Sequence, residues 1–105
     1  MALSDQTSAY SDCYDFFDRA IRSGRGIRIL VPSEKDASFL RFRLNQSRVL
    51  QRRESTRVYQ RTDPQYGKCE FDKFRVTTRP PADGETGFWV YIEEWSAETL
   101  DVEEL

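Results

Sequence analysis

Two segments of this chain carry apolar residues at helical spacing, and shorter runs alternate as strands do. The order of these helical and strand patterns along the chain limits the folds that it can adopt. Residues 10–21 show the first helical pattern, which Gly24 ends and which Ser11 or an earlier serine is expected to cap. The apolar run Gly26–Val31 follows and predicts a buried strand. The chain therefore begins with a helix that leads into a strand.

A second, longer helix is predicted for residues 34–53, where Ser33 and Asp36 have the spacing of a capping box. Residues 56–61 alternate, so we expect the helix to give way to a short strand near Ser55. The apolar side chains of this helix are expected to face a sheet. One stripe along the helix consists of Ala37, Leu40, Leu44 and Ser47. A second set beside it widens the apolar surface: Phe39, Phe42, Val49 and Leu50.

The remaining pattern predicts an antiparallel hairpin, with strands at residues 71–78 and 88–95 joined by a loop rich in Pro and Gly. In the second of these strands one side is apolar core and the other is aromatic and acidic: Phe88, Val90 and Ile92 against Trp89, Tyr91 and Glu93. The elements together predict an α+β fold. It comprises a helix, a strand, a long Arg-rich helix and two or three antiparallel strands, with the helices packed on one face of the sheet.

The charges of the chain are segregated. All sixteen Lys and Arg residues lie within residues 19–79, which also hold six acids and so carry a charge of +10. Residues 1–18 contain four acids and residues 82–105 contain eight, with no base in either segment. Separated charge predicts an anionic partner for the middle of the chain, or acidic ends that fold back over it.

Length and composition predict one small domain over residues 1–105, with an acidic tail at residues 96–105. The two cysteines, Cys13 and Cys69, are far apart and the chain has no histidine, so neither a metal nor another cofactor is expected. Isolated thiols and the lack of a signal segment predict a cytoplasmic protein. No run approaches the ~20 apolar residues of a membrane span, so no membrane partner is expected.

The leading candidate site is a row of polar side chains along the second helix. Its members are spaced by four, three and four residues, which places them on one surface. Guanidinium groups at this spacing can contact successive phosphates, and an asparagine can hydrogen-bond a base edge. The alternative is a solvated helix face paired with acids of the first helix or the tail. The row is Arg41, Asn45, Arg48 and Arg52, and Arg53, Arg57 and Tyr59 extend the predicted nucleic-acid contacts.

A second candidate is a protein-binding surface that combines the acidic C-terminal segment with the aromatic side of the last strand. Trp and Tyr are frequent in binding hot spots, and acidic side chains can dock in a basic groove of a partner. The alternatives are a solubilising tail or a tail that covers the Arg-rich helix. The predicted contacts are Trp89, Tyr91, Glu93, Glu94 and Trp95.

Catalysis has little support in the sequence. There is no histidine to act as a base, and no Gly-rich phosphate loop or serine-elbow motif. Glu70, Asp72 and Lys73, with Asp63 upstream, are loosely similar to the spacing in metal-dependent nucleases, but a half-buried strand alternates in the same way. We therefore expect a non-enzymatic protein.

The segment VPSEKDASFLRFRL, residues 31–44, leads into the Arg-rich helix and resembles short segments of small phage-encoded accessory proteins of unknown function. The resemblance implies no fold and no catalytic residue; it implies a virus-encoded factor that binds nucleic acid or host machinery. The sequence thus predicts a small binding module. The first candidate for its partner is nucleic acid, and the alternative is a host protein. A third interpretation is a virion or assembly component that forms homo-oligomers through the edge of the hairpin.

Overall fold

The computed structural model describes residues 9–95 and shows two α-helices beside a three-stranded antiparallel sheet. Helix α1 spans Ser11–Ser23 and helix α2 spans Glu34–Val58. Strands β1, β2 and β3 span Gly26–Val31, Phe74–Arg79 and Phe88–Glu94. The predicted α+β fold is confirmed.

The sheet has the order β1-β3-β2, so the last strand of the sequence lies in the middle. Strand β3 is antiparallel to both neighbours, with Val90 opposite Ile29 and Ile92 opposite Val76. Strands β1 and β2 therefore run parallel, and α2 connects them across the intervening strand, as in a split βαβ unit.

Both helices pack against the same face of the sheet, as the sequence predicts. The alternate residues Val90 and Ile92 of β3 are fully buried beneath them. Phe17 of α1 stacks on Phe71, with ring centroids 4.6 Å apart and planes 6° from parallel. The buried apolar core consists of Cys13, Phe17, Ala20, Ala37, Leu44, Cys69, Phe71, Phe74, Val76, Val90 and Ile92.

Helix α2 is longer than predicted and continues to Val58, so the predicted strand at residues 56–61 is wrong. Packing explains the difference, because Ser55 is buried and donates a hydrogen bond of 2.7 Å to the carbonyl oxygen of Arg52. The burial of Ser55 and the helical hydrogen bond of 3.0 Å from the Tyr59 N–H to the Ser55 carbonyl oxygen outweigh the local preference of the alternating, exposed residues for a strand. At its other end the helix has the predicted cap, since the Ser33 hydroxyl accepts a hydrogen bond from the backbone N–H of Asp36.

Three smaller predictions are also corrected. Ser11 is the first residue of α1 and Tyr10 takes the cap position, although the predicted end at Gly24 is confirmed by its φ of 77°. The predicted strand 71–78 begins at Phe74, because Glu70–Lys73 forms a 3-10 turn that turns Phe71 into the core. Phe39 and Phe42 do not face the sheet; they are 63% and 57% exposed on the outer side of α2.

Candidate nucleic-acid interface

Arg48, at the centre of the predicted row, lies against the sheet rather than in solvent. Its guanidinium donates a hydrogen bond of 2.6 Å to the carbonyl oxygen of Phe74, where β2 begins, and another to the side-chain oxygen of Asn45. Burial lowers the pKa of Arg48, because the charged form is partly removed from water. Arg48 therefore holds α2 to the start of β2, and Asn45 orients its guanidinium.

The outer members of the predicted row have separate surroundings. Arg52 donates hydrogen bonds of 3.1 and 3.2 Å to the carboxylate of Asp72 in the 3-10 turn. Arg41 is exposed and lines a cleft with Asn45, Arg48 and Trp95. The structure thus brings Arg41, Asn45 and Arg48 together, but two of these three side chains already bind protein groups.

The predicted extension of the row lies at the C-terminal end of α2. Arg53 is exposed, and Arg57 forms an ion pair of 3.2 Å with Glu54 one turn earlier. Tyr59 follows the helix and is 41% exposed. Its ring is therefore open to solvent on part of its surface.

A second basic and aromatic surface lies on the sheet face that points away from the helices, which we call the open sheet face. Each strand contributes the residues that alternate with its core residues. Glu94 and Trp95 follow at the end of β3 and are exposed. The open sheet face consists of Arg28 and Leu30 of β1, Arg75, Thr77 and Arg79 of β2, and Trp89, Tyr91 and Glu93 of β3.

Two arginines from opposite edges of the sheet stack on the aromatic side chains of the central strand. The Arg28 guanidinium carbon lies 4.0 Å from the centre of the Trp89 ring, and that of Arg79 lies 4.0 Å from the centre of the Tyr91 ring. The register explains both contacts: Arg28 pairs with Tyr91 and Arg79 pairs with Trp89, so each arginine reaches the diagonal neighbour of its partner. The result is a pair of neighbouring Arg–aromatic stacks.

Glu93 balances part of this positive charge. Its carboxylate accepts hydrogen bonds of 2.8 Å from Arg75 and 3.0 Å from Arg79. Arg28 lies on the other edge of the sheet and is exposed, with a long hydrogen bond of 3.4 Å to the Tyr91 hydroxyl. The open sheet face therefore carries three arginines and one acid, and its positive charge is greatest near Arg28.

Alternation in the sequence predicts that Trp89, Tyr91 and Glu93 lie on one side of a strand, and the structure does bring them together. Arg28, Arg75 and Arg79 are members of the same surface that were not predicted. Alternation within each strand carries the signal, because Arg28 stands between Ile27 and Ile29, and Arg75 and Arg79 lie one residue before and three residues after the buried Val76. Alternation does not reveal the order of the strands, and that order decides that the three arginines share one surface.

Both thiols are buried. Burial raises the pKa of Cys13 to about 11, and burial also raises the pKa of Cys69. A thiol with a raised pKa stays protonated at neutral pH and is a poor nucleophile. The geometry assigns both cysteines to the core.

Within residues 9–95, no three His, Cys, Asp or Glu side chains come close enough to hold a metal ion together. Neither α1 nor α2 combines the length and the apolar character that a membrane span requires. No protein-family model, no curated protein and no solved structure matches this chain.

Proposed function

We propose that this protein is a non-enzymatic module that binds single-stranded nucleic acid through the open sheet face. The observation that carries the proposal is the pair of neighbouring stacks, Arg28 on Trp89 and Arg79 on Tyr91, each at 4.0 Å. Single strands bind to surfaces where unpaired bases stack on aromatic rings or guanidinium planes while basic side chains contact the phosphates. A sheet face that presents both groups side by side supports this mode.

The helix offers a weaker surface for the same ligand. Arg48 already binds the Phe74 carbonyl and Arg52 already binds Asp72, so a phosphate would have to displace contacts that hold the fold together. Arg28 is exposed and binds no carboxylate among residues 9–95. We therefore assign the main phosphate contact to Arg28, and a secondary one to the exposed Arg41.

The acidic balance of the whole chain limits the strength of binding. The isoelectric point of about 5.2 lies far below that of most nucleic-acid-binding domains, so long-range attraction is weak. Binding is local and falls steeply with added salt, because phosphate contacts release counterions. A virus-encoded factor of the kind that residues 31–44 imply would act in this way on nucleic acid of the virus or its host.

A charge-reversal pair tests the surface. Arg28→Glu changes the charge of the open sheet face, and Arg57→Glu makes the same change at an exposed position on α2 whose side chain is 71% accessible. Fluorescence anisotropy with a labelled single-stranded oligonucleotide should show a Kd at least tenfold higher for Arg28→Glu and a change of less than threefold for Arg57→Glu. A tenfold increase in Kd corresponds to a loss of about 1.4 kcal/mol of binding free energy. Circular dichroism confirms that both variants are folded.

A protein partner is the second candidate function, favoured by the position of Trp89, Tyr91 and Glu93 on one surface. Such a partner would meet the same aromatic side chains that the proposed nucleic-acid site uses. If the wild-type protein fails to bind single strands of DNA and RNA even at low salt, the nucleic-acid proposal is wrong and this second candidate takes its place.

A further inference from the structure

Strand β2 has an outer edge that no other strand covers within residues 9–95, because the order of the sheet is β1-β3-β2. The Trp95 N–H donates a hydrogen bond of 2.7 Å to the carbonyl oxygen of Lys73, so every second residue from Lys73 onward turns its backbone groups toward β3. The residues between them turn their N–H and C=O groups outward. We call these outward residues the β2 edge: Phe74, Val76 and Thr78.

Only part of the β2 edge is open. At its start, the Phe74 N–H donates to the carbonyl oxygen of Phe71, and the Phe74 carbonyl oxygen accepts the hydrogen bond of 2.6 Å from Arg48. Pro80, the next outward position after Thr78, has no N–H to donate. The backbone groups of Val76 and Thr78 are therefore the ones that a short extended segment can pair with.

A cleft lies along the β2 edge, between the strand and helix α2. Arg41, Asn45 and Arg48 form its helix side, and Trp95 lies on its other side. A segment that paired with β2 in this cleft would turn alternate side chains toward α2. The side chains of that set would therefore lie beside the two arginines of the helix.

The helix side of the cleft carries positive charge, and in the described part of the chain no carboxylate lines this cleft. Arg41 is exposed and forms no salt bridge with any of residues 9–95. Arg48 binds only uncharged oxygens there, and burial lowers its pKa. An anion beside a partly buried guanidinium stabilises its charged form.

The acids around the cleft leave this charge open. Asp72 binds Arg52, which lies beyond the cleft, and Glu93 binds Arg75 and Arg79 on the open sheet face. Both carboxylates thus already have a guanidinium partner. An acidic side chain from outside would therefore find Arg41 unpaired.

We propose that the β2 edge binds a short, extended, acidic segment of a partner protein, which joins the sheet as a further strand. The backbone of the segment pairs with Val76 and Thr78, and an acidic side chain lies between Arg41 and Arg48. The free edge of β1 fits such a segment less well, because Glu93 lines the cleft beside it and would repel acids. Neither Arg–aromatic stack takes part, so this inference does not rest on the nucleic-acid proposal.

Titration with a model peptide tests the site. The probe is the peptide TEVEVET with blocked ends, added at low salt to the isotope-labelled full-length protein. We expect the largest shifts at the Val76 and Thr78 amides and the Asn45 side-chain amide. Hydrogen exchange of the Val76 and Thr78 amides should slow, because both become hydrogen-bond donors to the peptide.

Two control peptides separate strand pairing from attraction between charges. A version of TEVEVET that is N-methylated on all interior residues keeps its acids but cannot pair as a strand, and it should not bind. The peptide TKVKVKT can pair but has the opposite charge, and it should not bind either. Equal binding of the N-methylated peptide would overturn the proposal, because charge alone would then explain the affinity.

A pair of variants tests the role of Arg41. Arg41→Glu should raise the Kd of TEVEVET at least tenfold, whereas Arg53→Glu, exposed on the same helix but outside the cleft, should change it less than threefold. Equal effects of the two variants would contradict the site. So would no binding of TEVEVET by the wild-type protein, or shifts confined to Arg28 and Trp89. Shifts of Val76 and Thr78 that grow with protein concentration alone would show that a second copy occupies the β2 edge instead.

Discussion

Arg48 donates a hydrogen bond of 2.6 Å to the carbonyl oxygen of Phe74, and this contact fixes the middle of α2 to the start of β2. The same guanidinium also binds the side-chain oxygen of Asn45 and lies 5.7 Å from the centre of the Phe17 ring. The residue at the centre of the predicted nucleic-acid row is thus part of the scaffold.

Replacement of Arg48 should therefore reduce stability. Arg48→Met keeps much of the side-chain volume but leaves the Phe74 carbonyl without this donor, and hydrogen bonds to charged groups contribute about 1.5–3 kcal/mol. We expect the free energy of unfolding, measured by urea denaturation, to fall by about 2 kcal/mol. Arg53→Met, at an exposed position on the same helix, is the control and should change it by less than about 0.5 kcal/mol. Equal stability of both variants would show that the Arg48 contact is dispensable.

Two glycines that are two residues apart should respond very differently to alanine. Gly26 has a φ of 124°, and a Cβ there would overlap the carbonyl oxygen of Ile92 on β3; Gly24 has a φ of 77° with open space around it. Gly24→Ala should cost about 1–2 kcal/mol, the strain of a left-handed residue. Gly26→Ala adds a backbone clash and should cost about 3 kcal/mol or more. Thermal and urea denaturation measure both, and similar losses would contradict the tight approach of β1 to β3.

The cysteines should be inert in the folded protein. Both are buried, and burial raises the pKa of Cys13 to about 11, so the reactive thiolate is scarce at pH 8. We expect a thiol reagent such as dithionitrobenzoate to modify neither residue rapidly in buffer and both in denaturant. Mass spectrometry of the reaction products identifies the modified residues. Rapid native modification of either thiol would contradict its burial.

The ion pair between Asp12 and Arg43 should give stability a component that depends on pH. Arg43 donates a hydrogen bond of 2.6 Å to Asp12, and chiefly this bond lowers the pKa of the carboxyl below its ordinary value. A lowered folded-state pKa means that the stabilisation is complete above the ordinary pKa of an aspartate and is lost as the pH falls through the folded-state value. Because Asp12 is half exposed, the contribution is at most about 1 kcal/mol.

Asp12→Asn isolates this component. The variant should be less stable than wild type at pH 7 by up to about 1 kcal/mol, and the difference should vanish in strong acid, where the wild-type carboxyl is protonated as well. Asp15→Asn, an exposed neighbour on the same helix, is the matched control. Urea denaturation across the acidic range provides the measurement. A stability difference that does not change with pH would contradict the role of the ion pair.

Local patterns in the sequence predict most of the secondary structure. Gly24 ends α1 in the left-handed conformation that favours glycine, Ser33 caps α2, and Val90 and Ile92 alternate into the core as expected. These features depend on neighbouring residues alone. The end of α2 was predicted wrongly because burial of Ser55, a tertiary effect, decides it.

The candidate site required information that local patterns do not contain. The spacing of Arg48 places it on a helix face, but only the packed structure shows that this face meets the start of β2. Arg28 and Tyr91 are 63 positions apart and become neighbours through the strand order β1-β3-β2. Periodicity assigns a residue to one side of its own element; which elements lie side by side is decided by the fold.

Chemical-shift mapping would show which surface of the protein binds single-stranded nucleic acid. The isotope-labelled full-length protein is titrated with a single-stranded oligonucleotide at low salt, and backbone amide and Trp indole signals are followed. We expect the largest changes at Arg28, Arg79 and Trp89 on the open sheet face, with reversal on addition of salt. Changes confined to the C-terminal half of α2, or no changes at all, would show that the open sheet face is not the nucleic-acid site.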